Sequence, residues 1–382
     1  MALGVLRNPE ITLVDRISQI NWGVVALVMT IAGFGLAMLY SAAGGNIDPW
    51  ASRQAARFGI GLAAMLVVAV IDLRFWMRWS YTIYAGALVL LIAVEVMGTI
   101  GMGAQRWIDL GFFQLQPSEV MKIALVLALA RYFHARPLED VARIGVLVPP
   151  LIMVALPTAL VLKQPDLGTA IMLILGAAAL FFAAGVRWWK FALIGGAVAA
   201  AIPIGWQFMR DYQRQRVLTF INPENDPLGT GYHILQSKIA LGSGGLFGKG
   251  FLAGTQSQLS FLPERQTDFI FTMLAEEFGL AGAATVLILY MMIFIYGIAI
   301  ALRSRSHFGR LLALGLTTTV FLYVFINVAM VTGLIPVVGV PLPLISYGGT
   351  AMMTVLVAIG LILSVYIHRD IPIGKYLDGL QR

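Results

Sequence analysis

Ile270-Phe-Thr-Met-Leu-Ala-Glu-Glu-Phe-Gly-Leu-Ala-Gly-Ala-Ala-Thr-Val-Leu-Ile-Leu-Tyr-Met-Met-Ile-Phe-Ile-Tyr-Gly-Ile-Ala-Ile-Ala301 is an apolar run whose only charged side chains are Glu276 and Glu277. About 20 apolar residues suffice to cross the hydrocarbon core of a bilayer, so the stretch reads as a membrane-spanning helix. Outward from it, nine further apolar segments centre on 22–41, 57–71, 81–98, 118–134, 146–162, 168–185, 189–206, 311–333 and 348–367. The chain therefore reads as an all-α polytopic integral membrane protein with about ten transmembrane helices, one membrane domain over residues 1–382. The first run is longer than a signal-peptide core and no small-x-small cleavage site is clear, so the mature chain is expected to begin at or near Met1.

Composition agrees with that reading. Of 382 residues 59% are hydrophobic and 12% charged, with a mean hydropathy of +0.85. A soluble domain averages about 45–50% apolar and about 25% charged. There is no cysteine, which excludes a disulfide framework, a Cys-ligated zinc and a thiol nucleophile. Chemistry must come from carboxylates, amines and hydroxyls. The net charge of +7 raises the question of a nucleic-acid partner, but in a membrane protein such an excess records topology and contact with anionic lipid. With the N-terminus inside, fifteen Lys and Arg fall in inner segments and only Arg53, Arg57, Arg106 and Lys163 in short outer loops. The positive-inside rule then makes both termini cytoplasmic and residues 207–269 one long extracytoplasmic loop between spans seven and eight.

In this topology Glu95, Arg106, Glu119, Lys122, Lys163, Asp166, Asp268, Glu276, Glu277, Asn327 and Ser346 all lie in or beside the outer half of the membrane. A charge at the bilayer centre costs about 2.5–3.5 kcal/mol on insertion scales, so such groups normally pair or face a cavity. A polar cavity at the outer face follows. Single residues leave alternatives open. Glu119 and Lys122, in Gln116-Pro-Ser-Glu-Val-Met-Lys122, are spaced to meet on one helix face, either as a neutralising ion pair or as a wall of the cavity. Asp166, in Lys163-Gln-Pro-Asp166-Leu-Gly168, suits a helix cap as well as a site. Arg106-Trp107 suits an interfacial anchor or a substrate contact. A lone intramembrane Asn327 suits hydrogen bonding between helices.

The long outer segment begins with Arg210, Arg214 and Arg216, passes through Asn222-Pro-Glu-Asn-Asp-Pro227, and reaches a stretch of helical length from Gly231 to Leu241 with an apolar face. Gly242-Ser-Gly-Gly-Leu-Phe-Gly-Lys249-Gly250 fails as a phosphate loop, because Ser243 and Gly250 replace the required Gly and Ser or Thr. A glycine-rich anion cradle and a flexible turn both remain open for it. Then Phe261-Leu-Pro-Glu264-Arg265-Gln266-Thr267-Asp268 packs two carboxylates, a guanidinium and a hydroxyl at the water boundary. Partial desolvation there would lift Asp268 toward the pKa of a useful base; an N-cap with a surface ion pair of Glu264 and Arg265 is the other reading. The last outer loop, Thr332-Gly-Leu-Ile-Pro336 to Ser346-Tyr-Gly-Gly349, is broken backbone beside two spans, which needs protein or a cavity around it.

From about residue 20 onward the chain resembles the SEDS family (shape, elongation, division and sporulation), most closely its RodA branch. The motifs that carry the resemblance are Gln116-Pro-Ser-Glu119, Gln164-Pro-Asp-Leu-Gly168, Asp226-Pro-Leu-Gly-Thr-Gly-Tyr232, Gln236-Ser-Lys-Ile-Ala240, Gly242-Ser-Gly-Gly245, Gly254-Thr-Gln256, Leu262-Pro-Glu-Arg265, Thr267-Asp-Phe-Ile-Phe271 and Gly339-Val-Pro-Leu-Pro-Leu-Ile-Ser-Tyr-Gly-Gly349. Arg265 and Gly-Thr-Gln256 resemble RodA more than its division paralogue FtsW. One departure is that the family usually has His at the position of Gln266, and Gln cannot shuttle a proton.

The resemblance implies a peptidoglycan glycosyltransferase of the bacterial cytoplasmic membrane that polymerises lipid II for elongation and rod shape, releasing undecaprenyl pyrophosphate. Asp268 would be the general base. On their charge alone, Lys238, Arg265 and Lys249 are assigned to the departing pyrophosphate, while Glu264, Thr267, Glu119, Lys122, Asp166, Lys163, Arg106 and Ser346 would line the substrate site. A divalent cation, Mg or Mn, could share the electrostatic work, and no motif decides it. No Ser-x-x-Lys acyl-enzyme arrangement is present in an outer domain, so cross-linking falls to a partner, which the resemblance implies is a class B penicillin-binding protein. Two other classes compete: a lipid II flippase, which needs polar sites reachable from both leaflets, and a non-catalytic scaffold of the elongation machinery.

Overall fold

The computed structural model describes residues 13–101, 104–109, 111, 114–141, 143–208, 214, 230–258, 264–371 and 373–374. Arg7, Arg210, Arg216, Lys375, Arg382, the stretch from Asn222 to Pro227 and the Phe261-Leu-Pro263 segment lie outside them. The helices are α1 (Leu13–Ser18), α2 (Trp22–Ala42), α3 (Ala51–Val70), α4 (Leu73–Met97), α5 (Pro117–His134), α6 (Leu138–Val141), α7 (Ile144–Lys163), α8 (Leu167–Ala183), α9 (Trp188–Phe208), α10 (Thr230–Ser243), α11 (Thr255–Gln258), α12 (Ile270–Arg303), α13 (His307–Val331) and α14 (Gly349–Ile367).

Every one of the ten apolar segments is a helix, so the chain is an all-α polytopic membrane protein in its main architecture. Seven helices (α2, α3, α4, α7, α12, α13 and α14) are long and apolar enough to cross a membrane. Of the other three, α8 is apolar but shorter, α9 is apolar over Trp188–Ala201, and α5 carries Glu119, Lys122 and Arg131. Two boundaries move. Helix α3 starts at Ala51 and α4 at Leu73, earlier than the apolar runs, because Arg53, Gln54 and Arg57, or Arg74 and Arg78, occupy their first turns. A hydropathy scan rejects those residues, whereas a helix end at the water boundary accepts them.

The second outer loop adds a three-stranded antiparallel sheet, β1 (Thr99–Gly101), β2 (Ala104–Asp109) and β3 (Gln114–Leu115), in the order β1-β2-β3. The hydropathy reading contained no strand there; a backbone that leaves the membrane pairs with itself to satisfy its polar groups.

Contacts between helix ends alternate as an up-and-down bundle requires. At one end Ser41 meets Glu277, Lys163 meets Glu95, and Arg106 reaches the α7–α8 turn. At the opposite end Arg16 donates to the Val70 carbonyl, Arg131 to that of Arg78, and Ser364 to that of Ile71. Helix α5 runs through the middle, with both Glu119 and Lys122 buried.

Helix α12 has 34 residues, about 51 Å at 1.5 Å per residue, against a hydrocarbon core of about 30 Å. It breaks at Gly279, with φ 66° and ψ −163°. The glycine-rich segment 242–250 mends the break: Leu280 N and Ala281 N donate to the carbonyls of Gly245 (2.9 Å) and Leu246 (3.0 Å), while Lys249 N and Gly250 N donate to Glu276 O and Glu277 O, both at 3.0 Å. A Cβ on Gly248 would stand 2.1 Å from Glu277 O, which is why glycine is needed there. The flexible-turn reading of this segment is corrected, since two of its amides and two of its carbonyls are bonded to α12.

Candidate active site

Helix α10 buries Ile234, Ser237 and Ala240 while Leu235, Lys238 and Ile239 face outward. Ser237 fixes it in place, since its hydroxyl lies 2.8 Å from Thr272 Oγ1 and donates to Val331 O at 2.7 Å. Lys238 therefore stands beside the loop 332–348 that joins α13 to α14, its side chain lying over Gly333. Among the described residues it forms no ion pair.

On the other flank of that loop is the turn 264–268. Glu264 adopts φ 54° and its carbonyl accepts from Thr267 N (3.0 Å) and Phe269 N (3.4 Å). Its carboxylate accepts from Thr267 Oγ1 at 3.0 Å and Gln266 Nε2 at 3.4 Å. Gln266 thus serves the turn as a donor, a task that needs no titration. Arg265 lies between them, partly exposed.

The loop holds the turn from the far side. Ser346 Oγ donates to Thr267 O at 2.6 Å and accepts from Leu342 N at 2.8 Å, and Tyr347 N donates to Gln266 O at 2.8 Å. Asn327 Nδ2 donates to Asp268 O at 2.9 Å and to Val340 O at 2.7 Å. The loop is itself seated on the bundle. Gln54 Nε2 donates to Ser346 O at 2.9 Å, the Tyr290 hydroxyl to Pro343 O, and Gly35 lets α2 come so close that a Cβ there would be 2.6 Å from Leu344 O.

Asp268 sits where turn and loop meet. It is half-buried, and a Cβ on Gly339 would lie 3.4 Å from its Oδ2. Among the described residues no donor reaches its carboxylate. Burial, reinforced by the neighbouring Glu264 carboxylate, pushes it from 3.8 up to about 6. A carboxylate with unused acceptor capacity and a pKa near neutrality can take a proton from a hydroxyl.

The other sequence-selected groups do not converge on Asp268. Lys122 Nζ lies 2.7 Å from Glu119 Oε1 and donates to the Tyr323 hydroxyl at 2.5 Å; that hydroxyl donates to Glu119 Oε2. With all three buried, this is a closed neutral unit within the bundle, which fits the ion-pair reading rather than the cavity-wall reading. Asp166 caps α8, accepting from Thr169 N (3.1 Å) and Thr169 Oγ1 (2.9 Å), and also from Gln116 Nε2 (3.4 Å). Arg106 donates to the carbonyls of Gln164 (2.9 Å) and Pro165 (2.6 Å), anchoring β2 to the α7–α8 turn. Lys163 pairs with Glu95 at the surface, 2.5 Å apart.

Lys249 is likewise committed: its ammonium is 2.8 Å from the fully buried Glu276 and 2.7 Å from Thr255 Oγ1. In this structure its ammonium serves an internal ion pair, beside which Thr255 Oγ1 and Gln256 N also donate to Glu276. Sequence reading missed Gln54 and Tyr323, and had Gly339 only as the start of a motif. Gln54 sits among Ser52, Arg53 and Arg57 in the polar start of α3, and nothing local marked Tyr323. Among the described residues no three His, Asp or Glu side chains cluster to hold a metal ion.

Comparison with known proteins gives a consistent result. Residues 21–371 match the family model FtsW/RodA/SpoVE, described as cell cycle protein. A peptidoglycan glycosyltransferase MrdB of Escherichia coli K12 is 46% identical over 352 residues, covering 90% of this chain and 92% of that one. A probable peptidoglycan glycosyltransferase FtsW of Geobacter metallireducens is 37% identical, covering 90% and 94%. Among solved structures, the rod shape determining protein RodA of Thermus thermophilus superposes with a TM-score of 0.70 at 30% identity, covering 92% of this chain and 98% of that one. A chain from a peptidoglycan synthase complex, solved for its coordination of polymerization and crosslinking, superposes with a TM-score of 0.81 at 34% identity and the same coverage.

Proposed function

Since this chain belongs to the FtsW/RodA/SpoVE family of SEDS proteins and is a peptidoglycan glycosyltransferase, we propose that it polymerises lipid II with Asp268 as the general base. The sugar 4-hydroxyl of the acceptor gives its proton to Asp268 and attacks the anomeric carbon of the donor. The bond from that carbon to the lipid pyrophosphate breaks with inversion, and the electron pair leaves on the pyrophosphate. Lys238 and Arg265, on either flank of the loop 332–348, meet the charge that develops there. The observation that carries the reading is the Asp268 carboxylate, which no donor among the described residues reaches and whose pKa is raised to about 6. At neutral pH it is ionised, yet a stronger base than an ordinary carboxylate.

The substrate arrives already activated, so no nucleotide is needed. The excess of Lys and Arg at the opposite end of the bundle orients Asp268 toward the outer face of the bacterial cytoplasmic membrane, where polymer is wanted. For cross-linking, a class B penicillin-binding protein is the proposed partner; the related chain in a peptidoglycan synthase complex supports that choice.

Purified protein incubated with lipid II in detergent tests the proposal, because without leaflets neither a flippase nor a scaffold produces polymer. Wild type is expected to form glycan chains and Asp268→Asn to be slower by about 10²–10⁴-fold, the usual worth of a positioned general base. Equal polymer from both proteins would overturn the assignment of the base.

A further inference from the structure

We infer that Asn327 is a positioning residue for the reaction, holding the main chain at Asp268 against the loop that faces the carboxylate. The inference rests on the reading of Asp268 as the base and adds to it the device that aims it. Asn327 lies in the penultimate turn of α13 and is completely buried. One side-chain amide nitrogen spends its donors on two distant segments, Asp268 O at 2.9 Å and Val340 O at 2.7 Å. Val340 follows Gly339, where a Cβ would lie 3.4 Å from Oδ2 of Asp268. The same amide therefore ties down both the base and the wall opposite it.

The acceptor end of this amide shows what the site selects for. Asn327 Oδ1 is buried and has no hydrogen-bond partner among the described residues. An unsatisfied buried acceptor is unfavourable. An amide kept only for packing between helices would gain by replacement with a leucine of similar volume, and one kept for helix association would use both ends. Here, among the described residues, only the donor is used, on the carbonyls of Asp268 and Val340. Ser346 and Tyr347 hold Thr267 and Gln266, but Asn327 is the side chain that grips Asp268 itself.

The test compares purified wild type, Asp268→Asn, Asn327→Leu and the double variant, with initial rates measured over a range of lipid II concentrations and folding checked by thermal unfolding. A displaced base can lose about 10²-fold from a shift of about 1 Å. Asn327→Leu should therefore lower kcat by about 10- to 100-fold and leave KM within about twofold. The double variant should be no slower than Asp268→Asn, since a group acting through the base has nothing left to act on. A folded Asn327→Leu with wild-type kcat overturns the inference, as does a double variant slower by a further order of magnitude. Should the leucine variant not fold, Asn327→Ser, which keeps one shorter donor, must show an intermediate kcat, and a wild-type value again overturns it. Full activity in Asp268→Asn is the separate outcome that removes the base assignment, and the inference with it.

Discussion

Glu119 and Asp268 are both carboxylates at the same end of the bundle, and the fold treats them in opposite ways. Glu119 is enclosed with Lys122 and Tyr323, each polar atom answered by another, with the Lys122 ammonium also 4.1 Å from the Tyr323 ring centre. Asp268 lies in a turn whose main chain Asn327 and Ser346 hold, and among the described residues no donor reaches its carboxylate. A buried charge in a closed network stabilises the arrangement around it and has no capacity left for a ligand. One whose backbone is fixed while its oxygens stay open keeps that capacity. The difference separates residues that let α5 sit inside the bundle from the residue placed to react. The same contrast divides the lysines, with Lys249 bound to Glu276 and Lys238 unpaired among the described residues.

The strongest way to break this comparison is to open the closed network. Lys122→Met leaves Glu119 buried beside a lost partner and should destabilise the protein by about 3–5 kcal/mol, read by thermal or denaturant unfolding in detergent. Adding Glu119→Gln should recover much of that loss, because it removes the stranded charge. If Lys122→Met instead leaves stability intact and abolishes polymerisation, the triad belongs to the active site and the division fails.

Asp268→Asn should do the reverse at neutral pH and stabilise the fold. The group titrates at 3.8 in its ordinary state and at about 6 in the folded protein, so ionising it opposes folding. That penalty is absent below about 4, grows as pH rises through the interval, and is complete above about 6. Removing it is worth about 1–3 kcal/mol, so the variant should melt higher than wild type at pH 7 and alike at pH 4. Gly248→Ala probes a region with no reacting group. Its methyl would press on Glu277 O at 2.1 Å and the residue holds φ 81°, so a loss of about 1–3 kcal/mol is expected, with activity per folded molecule unchanged.

The smallest effect concerns Glu264, whose charge is the second cause of the raised Asp268 pKa. Glu264→Gln should move the acid limb of the kcat/KM profile to lower pH by less than about one unit, because the base then ionises more readily. A limb that stays in place would detach the profile from Asp268.

Much of this was legible before the fold was known. The ten helices could be read because a bilayer demands long apolar runs, and Glu264, Thr267 and Asp268 could be read together because they are neighbours in one turn. The sheet at 99–115 escaped, since hydropathy says nothing of backbone that leaves the membrane. Gly242 to Gly250 invited an anion reading because glycine-rich segments look alike in sequence whether their amides face a ligand or the broken turn at Gly279. Lys249 was indistinguishable from Lys238, as both are single lysines in one outer segment.

What the sequence by itself determined is therefore the membrane architecture, the clustering of ionisable groups toward one end, and the identity of Asp268 as the carboxylate at a water boundary. Those follow from local composition and from the cost of placing charge in hydrocarbon. Only the tertiary structure decided which charges are closed and which are open. That choice depends on partners far apart in the chain: Tyr323 for Glu119, Glu276 for Lys249, Asn327 and Ser346 for the turn at Asp268. Hydrogen bonds act over about 3 Å, and sequence spacing carries no record of distances on that scale between separate helices.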